Sequence, residues 1–453
     1  MSKPQQSRWL VLLPLMLAIL GGSLANSMTN TALPRIAVAL SVSVGSRAWI
    51  VGAFPLALAV TMVAAARLGD HYGRRRLMLA GLAVVAVVNI VPAFVSDGVE
   101  LIACRAVLGV AGAMILASVV STIGHTFRGH DLAIANGAWV TVFGVGSAAG
   151  PILGGVLTQA LGWRSVFLCL SPLAVATAAL AWWLMPESMA PGPRARWDVI
   201  SLALSVTTVG GLVYGIQHMA ADPLTGALFL AVGAAGAVWF VRRQRWLRSP
   251  LIDISLFGRP GFARSATQIL VSAATTGACL YLVSLHLQDA LGRTPLEAGL
   301  ALAPQAAGTA LGGVLAPLVL RRVAMLTAVR AALVLQAVGL LALAWSDTTV
   351  LVPIALVGLG YGGMGTMATT ALFQAATPPH AAQAGAIQEV TFAFGTGAGV
   401  AFFGAIADVS PSRGFFFAMA AAAVLTAASA AIPARRGTAT TALADSSSES
   451  ESA

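Results

Sequence analysis

The sequence has 453 residues, 58% of them hydrophobic and 9% charged, with a mean hydropathy of +0.86. Soluble domains carry about a quarter charged residues, so these figures exclude a soluble multidomain enzyme and, outside the extreme C-terminus, a disordered chain. The net charge of +10 does not point to nucleic acid, because Lys3 is the sole lysine and the arginines stand in short clusters between apolar stretches rather than on one soluble face.

Fourteen apolar stretches are long enough to be membrane-spanning helices, which need about 20 residues each. They are predicted at 9–30, 46–66, 77–95, 101–125, 132–158, 163–185, 199–217, 222–241, 262–288, 296–320, 324–345, 349–375, 381–407 and 413–433. Period-two alternation is absent, which argues against a transmembrane barrel. With both termini in the cytoplasm, 20 of the 26 basic residues fall in inside segments, five fall outside, and Arg105 lies within a span. That asymmetry sets the orientation. The first stretch, after Lys3 and Arg8, has some character of a cleavable signal, but it is long and further spans follow at once. Cys104, Cys169 and Cys279 all lie in apolar stretches, without metal or disulfide spacing.

The spans divide into an N-terminal six-helix bundle (1–190), two extra helices with a linker (191–261), a C-terminal six-helix bundle (262–434) and an acidic tail (435–453). The two six-span blocks share an ordered series at an offset of about 250 residues. Gly109 to Met114 answers to Gly360 to Met364, and Gly144-Val145-Gly146 answers to Gly395-Thr396-Gly397. Paired halves of this kind let a central site open to either side as they rock. A carrier is therefore expected, and the fold expected is all-α and polytopic.

The connection after the second span reads Ala66-Arg67-Leu68-Gly69-Asp70-His71-Tyr72-Gly73-Arg74-Arg75-Arg76. Read physically, it is a tight basic loop with a glycine turn and an acid placed to cap or pair. Its Leu-x-Asp-x-x-Gly-Arg-Arg spacing resembles the signature loop of the major facilitator superfamily, matched at Leu68, Asp70, Gly73, Arg74 and Arg75, with Ala66 in place of the first glycine. The resemblance implies two six-helix bundles and, for this loop, a latch made of charge pairs. In the fourth span Arg105 stands four residues before Gly109. An arginine inside a span costs about 2.5–3.5 kcal/mol on insertion scales. Near the outer end it could snorkel; the resemblance instead implies a role in proton coupling.

The fifth span carries Gly146-Ser147-Ala148-Ala149-Gly150-Pro151-Ile152-Leu153-Gly154-Gly155. Glycines four apart permit close backbone approach, and proline kinks the helix. Any tight helix crossing has use for these, but the whole string is similar to the signature of the proton-coupled exporters of that superfamily. Further segments, from Asn30-Thr31-Ala32-Leu33-Pro34 to Thr294-Pro295-Leu296-Glu297-Ala298-Gly299, resemble its fourteen-span drug:proton antiporter branch. Many members carry an aspartate in the first span where this chain has Ala25.

Of the sixteen acidic residues, Glu389 alone sits near the middle of a span. An ionisable group there is a functional candidate, since apolar surroundings favour a carboxyl that takes up and releases a proton. A structural glutamate bonded to a neighbouring helix is the alternative. Polar and aromatic candidates for a central cavity are Asn26, Asn30, Phe143, Gln268, Tyr281, Gln305, Gln388 and Phe392. No GxxxxGK[ST] string is present, so the proton gradient, with no cofactor and no metal, is the expected energy source. The expected partners are protons, the lipid bilayer and a small hydrophobic or amphipathic compound, with no nucleic acid, and the expected working unit is a monomer in a bacterial inner membrane. Drug export is the leading expectation. A dedicated exporter or an importer of one metabolite is the second, and a membrane-embedded enzyme or receptor is remote.

Overall fold

In a chain this apolar, every backbone amide removed from water must find its partner within the segment, and helices alone do that locally. The computed structural model describes residues 6–189, 198–219, 222–247, 250, 252–259, 261–345, 350–375, 381–410 and 413–433, and among them there is no strand. The tail 435–453, the linker stretch 190–197 and His380 lie outside the described residues.

The long helices, in chain order, are α1 (Leu12–Ala39), α2 (Val44–Tyr72), α3 (Arg74–Val88), α4 (Gly98–Thr126), α5 (Gly129–Leu161), α6 (Leu170–Leu184), α7 (Val199–His218), α8 (Pro223–Trp246), α9 (Phe262–Leu285), α10 (Pro295–Leu320), α11 (Met325–Trp345), α12 (Leu351–Ala375), α13 (Ala381–Asp408) and α14 (Gly414–Ala430). Thirteen helical segments among the described residues are long and apolar enough to cross a membrane; α14 is apolar but has 17 residues. Several ends differ from the sequence reading: α1 continues through Pro34 to Ala39, past 30, α2 continues to Tyr72, past 66, so that the signature segment is helical up to Gly73, and three other spans are interrupted or extended. The third span leaves the α-helix at Val88 and ends in a 3₁₀ turn, Val91–Ala93, at Pro92. The sixth is broken between the short helix Ser165–Leu168 and α6. The ninth runs past Leu285 into a π-helical turn, His286–Ala290.

α1 packs on α5 and α6, α2 on α4, and α3 on α4 and α6, which makes the first bundle. α9 packs on α12, α13 and α14, α10 on α12, and α11 on α12 and α14, which makes the second. Two extensive pairings join the bundles, α5 with α10 and α2 with α13, and α1 adds smaller contacts with α9 and α10. The extra pair α7–α8 packs mainly on itself, and α7 also rests on both α2 and α13.

Polar anchoring fixes the base of that pair. Asp198 caps α7 by accepting from Ser201 N at 3.0 Å and pairs with Arg243 of α8 at 2.9 Å. Gln244, buried, donates to Ser201 Oγ at 2.8 Å and accepts from Ile252 N at 3.3 Å. Burial acts to raise the Asp198 carboxyl, but the Ser201 hydrogen bonds and the Arg243 guanidinium outweigh it and hold the group below its ordinary value. A carboxyl depressed in the fold stabilises it above the usual aspartate range, about 3.9, and that stabilisation is lost as pH falls through the lowered value. Asp198→Ala is therefore expected to cost about 1–2 kcal/mol, the scale of a lost N-cap. Thermal unfolding checks this: the gap from wild type should be widest at neutral pH and should close on acidification.

Candidate functional site

The signature loop closes on itself and on the end of α6. Gly73 joins α2 to α3 with φ +107°, a conformation that favours glycine, and a Cβ there would strike the Glu187 carboxylate. Asp70 accepts from Arg74 Nη2 at 3.1 Å. Arg75 N donates to Glu187 Oε1 at 3.2 Å, Arg74 N donates to Ser188 O at 3.0 Å, and Arg76 lies 3.6 Å from Glu187 Oε2. Arg75 also stacks over Trp182, 4.8 Å from the ring centroid. Leu68 lies one helical turn before Tyr72, at the end of α2. Glu187, the acid that receives the loop, was not singled out from the sequence; it is more than 110 residues away and looks like any interfacial glutamate.

The glycine-proline string occupies the place where α1, α5 and α10 meet. Gly146, Gly150 and Gly154 face α1: an added Cβ would meet Ser23 at 2.8 Å, Ser27, and Met28 Cα at 2.9 Å respectively. Ser23 Oγ donates to Phe143 O at 2.9 Å across the same contact. Gly155 faces the other bundle instead, where a Cβ would sit 2.6 Å from Pro295 O and 2.7 Å from Leu296 Cα. The Pro151 carbonyl meets Gly299 of α10 in the same way. One helix thus uses two faces of a single motif to approach its own bundle and the opposite one.

These seam contacts lie toward the face opposite the signature loop, and polar ties reinforce them there. Ser284 Oγ donates to Asn30 O at 2.9 Å, Gln288 Nε2 donates to Thr31 O at 2.9 Å, and Arg47 pairs with Asp289 at 2.8 Å. Gln288 and Asp289 belong to the π-helical turn after α9. Asn30 is buried; Asn26, one turn earlier, is half-buried and gives its carbonyl to Asn30 Nδ2 at 3.3 Å.

Arg105 is 0% exposed. It does not snorkel: its Nε donates to Ile50 O at 3.0 Å and its guanidinium lies 4.9 Å from the centre of the Phe54 ring on α2. Nη1 and Nη2 have no hydrogen-bond partner among the described residues, nor does an acid pair with them. The α4 backbone is brought this close to α2 by Gly109, whose Cβ would strike Phe54 O.

Glu389 is half-buried on α13, next to Gln388 and three residues before Phe392. Gln388 Nε2 stands 3.5 Å from Glu389 Oε1, at the long limit of a hydrogen bond. The Tyr361 hydroxyl on α12 lies within electrostatic reach of the carboxylate, and its ring meets Phe392 edge to face at 6.2 Å. Val390, the next residue, packs against Met62 and Ala65 of α2 and Ala113 and Ala117 of α4. Glu389 therefore lies beside the seam between the bundles. Arg105 and Glu389 make no ion pair with each other: Arg105 lies in the α2–α4 contact within the first bundle, and Glu389 lies beside the α2–α13 seam.

The other cavity candidates are dispersed. Gln268 is buried and ties α9 to α14 through Ser429 O at 3.3 Å. Gln305 is buried and reaches Thr309 of its own helix, 3.3 Å away. Tyr281 is buried in the core cluster on the closed side of the seam, whereas the Phe143 ring is 49% exposed. Tyr361, noted in the sequence only as part of the repeat, joins the Glu389 group. Gln336 had drawn no notice: it is wholly buried, and it binds Ser272 Oγ at 2.6 Å, Thr275 Oγ1 at 3.1 Å and Thr276 Oγ1 at 2.9 Å, which pins α11 to α9. Among the described residues no group of three metal-ligating side chains is found.

The major facilitator superfamily family model matches residues 15–241. The multidrug efflux pump LfrA of Mycolicibacterium smegmatis is 34% identical over 88% of this chain and 80% of its own. A probable actinorhodin transporter of Streptomyces coelicolor is 31% identical over 80% of this chain and 66% of its own. Among solved structures, a bacterial homologue of the human lysosomal transporter Spinster superposes with a TM-score of 0.69 at 15% identity, covering 95% of this chain and 96% of that one. The chain is a multi-pass membrane protein of the major facilitator superfamily, a transporter and not an enzyme.

Proposed function

We propose that this transporter exports hydrophobic or amphipathic drug-like compounds from the cytoplasm in exchange for protons, with both termini cytoplasmic and the two bundles rocking about their seam. Export of such compounds is supported by the likeness to a multidrug efflux pump over most of both chains. The coupling reading rests on one observation, a half-buried carboxyl on α13 beside the seam. A proton on Glu389 would favour one arrangement of the bundles and substrate the other, the affinity difference that any coupled exchange requires. The seam ties near Asn30, Thr31 and Asp289 would hold the outer side shut while the site is reached from the cytoplasm. The working unit is one chain, and no cofactor takes part.

Arg105 supplies the second half of this reading. A guanidinium without an acid partner is expensive in a membrane interior, and its retention where an apolar residue would pack is reasonable only if another arrangement uses it. Arg105→Met should therefore leave thermal stability equal to or above wild type while export collapses. Thermal unfolding checks the first statement, and accumulation of a drug panel in a host lacking its own exporters checks the second. If wild type lowers accumulation of no compound, drug export is wrong. If Arg105→Met exports as well as wild type, the coupling role of Arg105 is wrong.

A further inference from the structure

The bundles meet along contacts of unequal length. α2 and α13 touch from end to end. A Cβ on Gly404 would meet Ala48 at 3.6 Å, a Cβ on Gly397 would stand 3.1 Å from Gly52 O, and Val390 packs on Met62 and Ala65. α9 and its π-helical turn are bonded to the first bundle near one end, through Ser284 to Asn30 O, Gln288 to Thr31 O and Asp289 to Arg47. Arg47 sits where the two contacts converge. Its Nη1 donates to Asp289 Oδ2 at 2.8 Å, and its Nε has no hydrogen-bond partner. A second acid, Asp408, ends α13 one turn beyond Gly404. It is within electrostatic reach of Arg47 but is not paired with it.

We propose that Arg47 is a two-partner switch of the outer gate: it pairs with Asp289 while the outer side is shut and passes to Asp408 when that side opens. The inference rests on the rocking of the bundles proposed above. A contact zipped along its whole length, backbone against backbone, parts less readily than one bonded near one end. Outward opening therefore draws α9 away from α1 and α2 while α2 stays against α13. That movement breaks the Asp289 pair and leaves the Asp408 carboxylate beside the same guanidinium. The Arg47 side chain is only 23% exposed, and a charge withdrawn from water that loses its partner destabilises the arrangement that strands it. Asp408 relieves the open state of that penalty. The two acids thus act in opposite directions, Asp289 for the shut gate and Asp408 for the open one. Glu297, the next acid after Asp289, is committed elsewhere: it accepts from Thr294 N at 2.9 Å and lies 3.9 Å from Arg293.

The test is the distance distribution between spin labels at Val99 and Leu351, exposed at the starts of α4 and α12, one in each bundle, in the full-length protein with its three cysteines replaced. Each acid is neutralised in turn, in the wild-type background and in Gly155→Val, whose Cβ would press on Pro295 O and favour the open arrangement. Shifts of either sign then have room to show. Asp289→Asn should raise the ratio of long to short distance roughly twofold to fivefold, the scale of a partly exposed ion pair. Asp408→Asn should lower it by a similar factor. In an Arg47→Gln background neither acid variant should move the ratio, because the charge for which they compete is gone. Thermal unfolding confirms that each variant is folded. Shifts of the same sign from both acids, no shift from Asp408→Asn in either background, or shifts that persist in Arg47→Gln overturn the switch and leave the rocking intact. A single distance in every variant overturns the rocking, and the switch with it.

Discussion

Glu389→Gln should abolish proton-driven transport without unfolding the protein. Glutamine keeps the size and the hydrogen-bonding capacity of the protonated acid, so Tyr361, Phe392 and Gln388 retain their neighbour. What it removes is the ability to lose and regain a proton. Loss of a proton-transferring side chain lowers rates by about a hundredfold or more. In proteoliposomes, substrate-dependent proton movement should fall by that order, and export should no longer respond to an imposed pH gradient. Exchange of labelled for unlabelled substrate, which needs no net proton, should survive. If the variant exports against a pH gradient like wild type, Glu389 is not the coupling group. If exchange is lost as well, Glu389 holds substrate rather than only protons.

Gly155→Val should disable the carrier from the opposite direction, by preventing the bundles from meeting. A Cβ at Gly155 has Pro295 O at 2.6 Å and Leu296 Cα at 2.7 Å, both backbone atoms that cannot rotate away. Overpacking costs about 1–3 kcal/mol, which shifts an equilibrium between two arrangements roughly fivefold to 150-fold. Nothing within either bundle needs to change, so the variant should reach the membrane in normal amount. Spin labels at Leu161 and Arg293, both exposed on this face, report the seam once the three native cysteines are replaced. Their distance distribution should lengthen while transport falls. Gly144→Val is the control, because a Cβ at Gly144 meets nothing within 4 Å. An unchanged distribution in Gly155→Val would mean that the seam yields more readily than its backbone contacts imply.

The spans, the signature loop and the mid-span acid were legible in the sequence because each depends on local information. Hydropathy accumulates over 20 neighbours; Gly73 and Asp70 act within one turn; Glu389 is conspicuous because acids are scarce. Arg105 was visible but its depth was not, since distance along a helix does not say whether Phe54 and Ile50 cover it. Glu187 and Gln336 were invisible for a related reason. Their meaning lies entirely in partners from other helices, and an amide in an apolar stretch carries no mark of whether three hydroxyls surround it. Gln268 and Gln305 show the converse, polar groups whose bonds are spent within the second bundle rather than at the seam.

The inserted pair has a mechanical consequence. Its base is tied to both bundles: Arg67 of α2 donates to Pro250 O at 2.6 Å, and Ile252 and Leu256, just beyond, pack in the core of the second bundle. Higher up, α7 lies across both halves through a cluster of Leu56, Val209, Val213, Phe394 and Ala401, every one apolar. In the rocking proposed above, a pair held at its base to both halves and greased along its flank would pivot at that base while the flank slides. Apolar contact is non-directional, so such sliding trades one set of neighbours for another without breaking a bond. On that proposal the two additional helices would serve as a plain bearing beside the joint.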